Sequence, residues 1–264
     1  MNTPTATPPS SAPVHVIKVG GAIVEDPASL ASLLDTFCLL PGPKVLVHGG
    51  GRLATSMASR LGVETQMVGG RRITTDEMLT VVSMVYGGLV NKNIVAQLQA
   101  RGTTAVGLTG ADMNLLLAHR RPVTAEGVDF GWVGDVDRAD GTPLRHLLAA
   151  GITPVIAPLT HDGQGHLLNT NADTMAAQVA QSLGPGTTLT FCFELPGVLR
   201  QPSDPTSVIP VIHEEDYAAL VRDGIVTGGM IPKLDNAFGA LHHGVERVVI
   251  TSVTNLGGGT CLLP

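Results

Sequence analysis

The chain has 264 residues, 44% hydrophobic and only 14% charged, with a formal net charge of −6. That length allows one large α/β domain or two lobes around a full core. The acidic balance argues against a nucleic-acid partner or an anionic-membrane surface, so an anionic ligand has to be gripped by a few local cations and backbone N–H groups.

Residues 1–13 are rich in Pro, Ser and Thr and lack the basic start and apolar centre of a signal peptide. A short disordered tail is expected there. No apolar run is read as reaching transmembrane length. Cys38, Cys192 and Cys261 are odd in number, widely spaced and without a CxxC. They read as buried small hydrophobes of a reduced, cytoplasmic protein.

The first element is an apolar strand over 14–22 that runs into Gly20-Gly21 with Lys18 near its end. A lysine there is costly to bury without an anion or carboxylate beside it. The chain holds four lysines against twelve arginines, so a compact ammonium at this place points to function. Asp26-Pro27 then starts a helix with Leu30, Leu33, Leu34 and Phe37 on one face.

A second strand, 44–48, ends in Gly49-Gly50-Gly51 and passes into a helix. Such a turn leaves N–H groups uncovered beside the positive end of a helix dipole, where an anion can sit. Residues 68–74 read as a turn and a short extended piece. A helix capped by Thr75 or Thr74 follows and extends towards Arg101. Gly87-Gly88 interrupts it, which predicts close packing against another helix or a partner subunit.

A strand at 104–108, hairpins over 115–136, a helix at 143–150 and a strand at 153–157 come next. His161 to His166 reads as a polar hairpin tip around Asp162-Gly163, not as a metal site. Asn169-Thr170-Asn171-Ala172-Asp173 opens a helix with more polar groups than capping needs. A central strand over 188–193, helices near 214–222 and 231–243, and strands at 247–251 and 260–263 close the chain. The repeated strand–helix order predicts a doubly wound, mainly parallel sheet with ligands at the strands' carboxyl ends.

No GxxxxGK[ST], GxSxG or HExxH occurs, and no GxGxxG follows the first strand. What remains is glycine turns, Lys18, Asp173, and Lys233 behind Gly228-Gly229-Met230-Ile231-Pro232. Two lysines, a carboxylate and free N–H groups suit phosphoryl transfer, which rests on positioning and neutralising oxygen charge. A carboxylate acceptor needs no general base, being already anionic near neutral pH.

In consistent order, Ile17-Lys18-Val19-Gly20-Gly21, His48-Gly49-Gly50-Gly51, Arg72-Ile73-Thr74, Asn169-Thr170-Asn171-Ala172-Asp173 and Gly229-Met230-Ile231-Pro232-Lys233 resemble the amino-acid kinase family, in particular its members that phosphorylate N-acylglutamates. The resemblance implies a three-layer αβα sandwich with a mainly parallel open sheet. Residues 14–184 would form the acylglutamate lobe and 185–264 the ATP lobe, with Mg²⁺ accompanying the nucleotide. By position, Lys18 and Lys233 would neutralise the moving phosphoryl group and Asp173 would hold both ammonium groups. The N–H groups of Gly21 and Gly49 would meet phosphoryl oxygens. Gly49, Gly50, Arg72 and Asn169 would line the acylglutamate site. Glu194, Gly197, Val198, Leu199 and Gly229 would border the nucleotide.

The match has departures. Phe193-Glu194-Leu195-Pro196-Gly197 stands where the family pattern has Thr-Asp-Val before Pro-Gly, and Arg71 stands where a leucine is usual. The C-terminal part is shorter and lacks an Asp-Gly-Arg turn. These features suggest a divergent branch in which the acyl group, acetyl or succinyl, stays open. Residues 1–13 cannot form the amphipathic helix that links arginine-inhibited members into hexamers, so a homodimer without arginine feedback is expected. Val90-Asn91-Lys92 reads as helix packing or solvated surface. A kinase for an aminoadipate derivative and a non-catalytic ligand sensor are the competing readings, and the two lysines argue against the sensor.

Overall fold

A computed structural model describes residues 13–228, 230–253 and 255–264. From the N-terminus, β1 (Val14–Val19) leads through Gly20 into the short α1 (Gly21–Glu25), and α2 (Pro27–Leu39) returns to β2 (Lys44–His48) and α3 (Gly51–Arg60). The hairpin β3 (Met67–Val68) and β4 (Arg71–Arg72) precedes a long helix made of α4 (Asp76–Val82), a π-helical turn (Ser83–Val90) and α5 (Asn91–Ala100). Then come β5 (Ala105–Leu108), β6 (Leu116–Arg120), β7 (Gly134–Ala139), α6 (Thr142–Ala149), β8 (Thr153–Ile156), β9 (Leu159–His161) and β10 (Leu167–Asn169). The C-terminal part holds α7 (Ala172–Leu183), β11 (Thr187–Phe193), β12 (Val211–His213), α8 (Glu214–Arg222), α9 (Met230–His242), β13 (Arg247–Ser252) and β14 (Thr260–Leu263).

The central sheet has eight strands in the order β12-β14-β13-β11-β1-β2-β8-β5. Only the β13–β14 pair is antiparallel. β1 lies mid-sheet, its Lys18 level with Phe191 of β11 and Val47 of β2. Helices cover both faces, which is why the strands read as near-continuous apolar runs. Val16, Val47, Phe191 and Ile250 pack with α7 and α9 on one face. Ile17, Val19 and Leu46 pack with α2 and the long helix on the other. Successive side chains alternate between faces, so Lys18 shares Val16's side and points towards α7. The predicted αβα sandwich is the fold observed.

Side-chain caps fix the helix starts. Asp26 accepts from Ser29 N at 2.8 Å, and Thr75 accepts from Met78 N at 3.2 Å. The hairpin-rich middle forms a separate four-stranded sheet, β10-β9-β6-β7. Its tip is the polar turn expected from Asp162-Gly163, with Asp162 accepting from Gln164 N and His166 N.

Two expectations change, and one strand is new. Gly87-Gly88 does not break the long helix, which passes through as a π turn. The close approach is to β9 and the loop after β5: a Cβ on Gly87 would lie 3.5 Å from Leu159 Cδ1 and 3.8 Å from Thr109 Cγ2, while one on Gly88 meets nothing within 4 Å. By length and composition alone, the 25-residue helix Asp76–Ala100 is apolar enough to cross a membrane. Its residues Met78, Val81, Val85, Ile94 and Leu98 are instead buried in the core. Finally, β12 has no strand pattern of its own and exists through parallel pairing with β14.

Candidate active site

Three predicted groups from distant parts of the chain converge at the carboxyl end of the sheet. Lys18, only 7% exposed, leaves the end of β1 and meets Asp173 in the first turn of α7, with Nζ 2.7 Å from Oδ1. Phe193, at the end of β11, lies beneath both ammonium groups. Lys18 Nζ is 5.0 Å and Lys233 Nζ 3.7 Å from its ring centroid. Burial pulls the Lys233 ammonium below its ordinary pKa, Asp173 and Glu194 favour its charge, and Lys18 opposes it. Two cations held near one carboxylate leave positive charge for an anion.

Asn171 shows why this helix start is so polar. Its Oδ1 caps α7 by accepting from Asp173 N at 2.8 Å and Thr174 N at 3.1 Å. With capping done by Asn171, the Asp173 carboxylate turns to Lys18 and Asn169 faces a separate cleft.

The two glycine turns touch through their backbones. A Cβ on Gly21 would lie 3.4 Å from Gly50 N, and one on Gly49 only 3.2 Å from Gly21 N. Gly50 has φ +152°, a conformation that side chains disfavour. Gly49 does not offer its N–H as expected: that group donates to Val19 O at 3.0 Å and continues the β1–β2 ladder. The N–H groups of Gly21 and Gly50 have no acceptor among the described residues.

Beside these turns lies a cleft of about 210 Å³ lined by Gly49, Gly50, Arg72, Tyr86 and Asn169, among others. The hairpin turn at Gly69-Gly70, both at positive φ, brings Arg72 to it. Arg72 Nη2 donates to Gly51 O at 2.8 Å and Thr55 Oγ1 at 2.9 Å, and Nη1 donates to Thr65 Oγ1 at 3.4 Å. No carboxylate pairs with this buried guanidinium among the described residues, so its charge is available to an anion in the cleft. Asn169 Nδ2 donates to Thr74 Oγ1 at 3.0 Å, which leaves its side-chain carbonyl to the cleft. Arg71, which stands where the family has a leucine, lines the same cleft and adds a second cation there.

Sequence reasoning passed over Tyr86. Its ring stands against Gly50 and its hydroxyl near Arg72. Burial raises the phenol pKa, opposed by Arg72. The available signal was an aromatic in an otherwise aliphatic helix, in a chain with only two tyrosines.

The expected nucleotide border is mixed. Glu194 is exposed near Lys233. Val198 and Leu199 are buried, and Val198 N donates to Thr260 Oγ1 at 2.8 Å. A Cβ on Gly197 would lie 2.7 Å from the same hydroxyl. Gly197 and Val198 thus lie against Thr260 of β14, and Leu199 bridges to Val208. Gly229 lies outside the described residues.

The chain is 56% identical over 249 residues to the acetylglutamate kinase of Bacteroides fragilis, covering 93% of this chain and 95% of that one. It is 58% identical over 238 residues to the acetylglutamate kinase of Bacteroides thetaiotaomicron, covering 89% and 92%. The solved structure of smu.665 from Streptococcus mutans superposes with a TM-score of 0.77 at 26% identity, over 94% of this chain and 98% of that one. Residues 13–252 match the model of the amino acid kinase family, and the chain belongs to that family.

Proposed function

We propose that the protein transfers the γ-phosphoryl group of ATP to the γ-carboxylate of N-acetyl-L-glutamate, giving the acyl phosphate and ADP. This is the phosphorylation step of arginine biosynthesis. The observation that carries the reading is the convergence of Lys18 and Lys233 on one ring, with Asp173 paired to Lys18 and favouring the charge of Lys233. The names of the relatives favour the acetyl compound over a succinyl or aminoadipate derivative.

The acceptor carboxylate is an anion at neutral pH and attacks the γ-phosphorus in line, so the protein need not remove a proton. Lys18 and Lys233 offset charge on the phosphoryl oxygens, and Asp173 fixes the ammonium groups before the reaction. Gly21 and Gly50 donate N–H bonds to the same oxygens. Arg72 binds the α-carboxylate and Asn169 the neighbouring amide, which sets the γ-carboxylate at the glycine turns. In this reading residues 14–184 hold the acylglutamate and 185–264 the nucleotide, with Glu194 and Gly229 at its border.

Bound with ATP, Mg²⁺ would supply further neutralisation of phosphate charge. Among the described residues no cluster of three or more His, Cys, Asp or Glu forms a cation cage. We also infer a cytoplasmic homodimer that arginine does not inhibit.

An ADP-release assay with ATP and N-acetylglutamate, N-succinylglutamate or an N-acylated aminoadipate tests the assignment. Turnover is expected with the acetyl compound, and its absence with all three acceptors would remove the kinase reading. Light scattering should give a dimer, and a hexamer or clear inhibition by arginine would overturn that part.

A further inference from the structure

Two sequence features remain without a role in the site: His48, ahead of the three glycines, and the Val90-Asn91-Lys92 stretch of the long helix. The fold brings them together. His48 is fully buried and Asn91 is 1% exposed. His48 Nδ1 lies 2.8 Å from Gly49 O, and a carbonyl only accepts, so the proton is on Nδ1. The bare Nε2 then accepts from Asn91 Nδ2 at 3.3 Å. The same Nδ2 donates to Val155 O of β8 at 2.9 Å. Lys92 Nζ donates to Asn91 Oδ1 at 3.2 Å and to Gly107 O at 3.1 Å. Lys92 thus fixes which way the Asn91 amide faces, and Asn91 fixes the imidazole tautomer.

The consequence falls on one peptide plane. The Gly49–Gly50 peptide is trans, so its C=O and N–H point to opposite sides. With the carbonyl held towards His48 in the core, the Gly50 N–H faces the cleft that Gly50 lines. Behind Gly50, a Cβ would lie 3.3 Å from Tyr86 Cδ1 and 3.4 Å from Val90 Cγ2, so the backbone has no room to retreat.

We propose that His48 and Asn91 are positioning residues that orient the Gly49–Gly50 peptide so that the Gly50 N–H points at the reacting oxygens, with Lys92 locking the chain of bonds from its exposed end. Neither touches substrate, and both act through Gly50. This rests on the kinase reading above, because it needs an anion to develop charge at that N–H.

The test compares His48→Leu, which removes the donor, with His48→Asn, whose amide nitrogen occupies about the place of Nδ1. Binding is measured for ADP alone and for ADP with aluminium fluoride and N-acetylglutamate as a transition-state mimic. His48→Leu should lower kcat by about tenfold or more and weaken the mimic about as much, with ADP binding within about twofold of the parent. His48→Asn should recover most of both losses. Equal impairment of the Leu and Asn variants, an equal loss for ADP and the mimic, or an unchanged kcat in His48→Leu would overturn the proposal.

If His48→Leu does not fold, Lys92→Met reads the same chain from the surface. A kcat lower by about threefold or more at unchanged Tm supports the proposal, and an unchanged kcat overturns it. Turnover of N-acetylglutamate by the parent protein separates the two failures. Without it the kinase reading goes, and with it only the positioning role is at stake.

Discussion

Lys18 Nζ and Asp173 Oδ1 stand 2.7 Å apart, tying the end of a central strand to the first turn of the helix packed on it. The pair couples fold and chemistry. Lys18→Ala should lower kcat by about 10²-fold with far smaller changes in substrate affinity, as loss of a preorganised charge does. Asp173→Asn should lower kcat and also destabilise the protein by about 2–3 kcal/mol. That is under the usual cost of breaking a buried pair, because the aspartate side chain is 17% exposed. Steady-state kinetics beside urea unfolding check both, and near-normal turnover would remove either residue from its role.

Burial lowers the Lys233 pKa from its ordinary 10.5. In the proposed mechanism the protonated amine is the active form, and its charge is lost as pH rises through the lowered value. The kcat/KM profile, which reports the free enzyme, should fall on the alkaline side below 10.5. Lys233→Arg should move that limb to higher pH, since guanidinium stays charged, though at a lower plateau because its shape differs. A limb that does not move in the variant would assign it to another group.

Arg72 makes its forked contacts to Gly51 O and Thr55 Oγ1 while keeping a cation at the cleft. An ammonium has only three N–H donors, all on one atom, against five that guanidinium spreads over three nitrogens. Arg72→Lys should raise KM for N-acetylglutamate by about tenfold or more, with a smaller effect on kcat and none on KM for ATP. An equal rise for both substrates would point to a collapsed cleft instead.

His48 is buried and neutral, burial holding its pKa down to about 4 against an ordinary 6.5, with the bond to Gly49 opposing. Between those values the unfolded chain binds a proton that the native state does not. Stability from this group is therefore full above 6.5 and is lost as pH falls towards 4, by about 3 kcal/mol in total. His15, lowered by burial and then by Lys44, acts in the same direction. Urea midpoints should drop between about pH 7 and about pH 5, and His48→Asn should flatten that drop. An unchanged slope in the variant would sink the assignment.

Gly50→Ala places a Cβ at φ +152°, 3.3 Å from the Tyr86 ring. The turn must then move, and the N–H with it. Activity should fall by about 10²-fold or more with a modest loss of Tm. Gly88→Ala, where a Cβ meets nothing within 4 Å, is the control and should leave activity unchanged.

Much of the fold was legible because its strands are buried on both faces and its helices begin at Asp26-Pro27, Thr75 and Asn171, where side-chain caps write the boundary into the chain. The strand β12 was not legible, because three residues with an exposed, buried, exposed pattern carry no signal until β14 lies beside them. The π turn was equally hidden: Gly87 signals a close approach but not its target, which turned out to be Leu159 rather than another helix.

What the residues determined alone was an inventory: two lysines and an aspartate beside glycine turns, and a fold class in which strand ends meet at one edge. Only the tertiary structure decided which groups are free. It ties the Gly49 N–H into the sheet, buries Val198 and Leu199 under their loop, and turns Asn91 towards His48. The reason is physical. Residue type and spacing fix what a group can donate or accept, but whether a partner already occupies it depends on neighbours that reach it only when distant strands and helices pack.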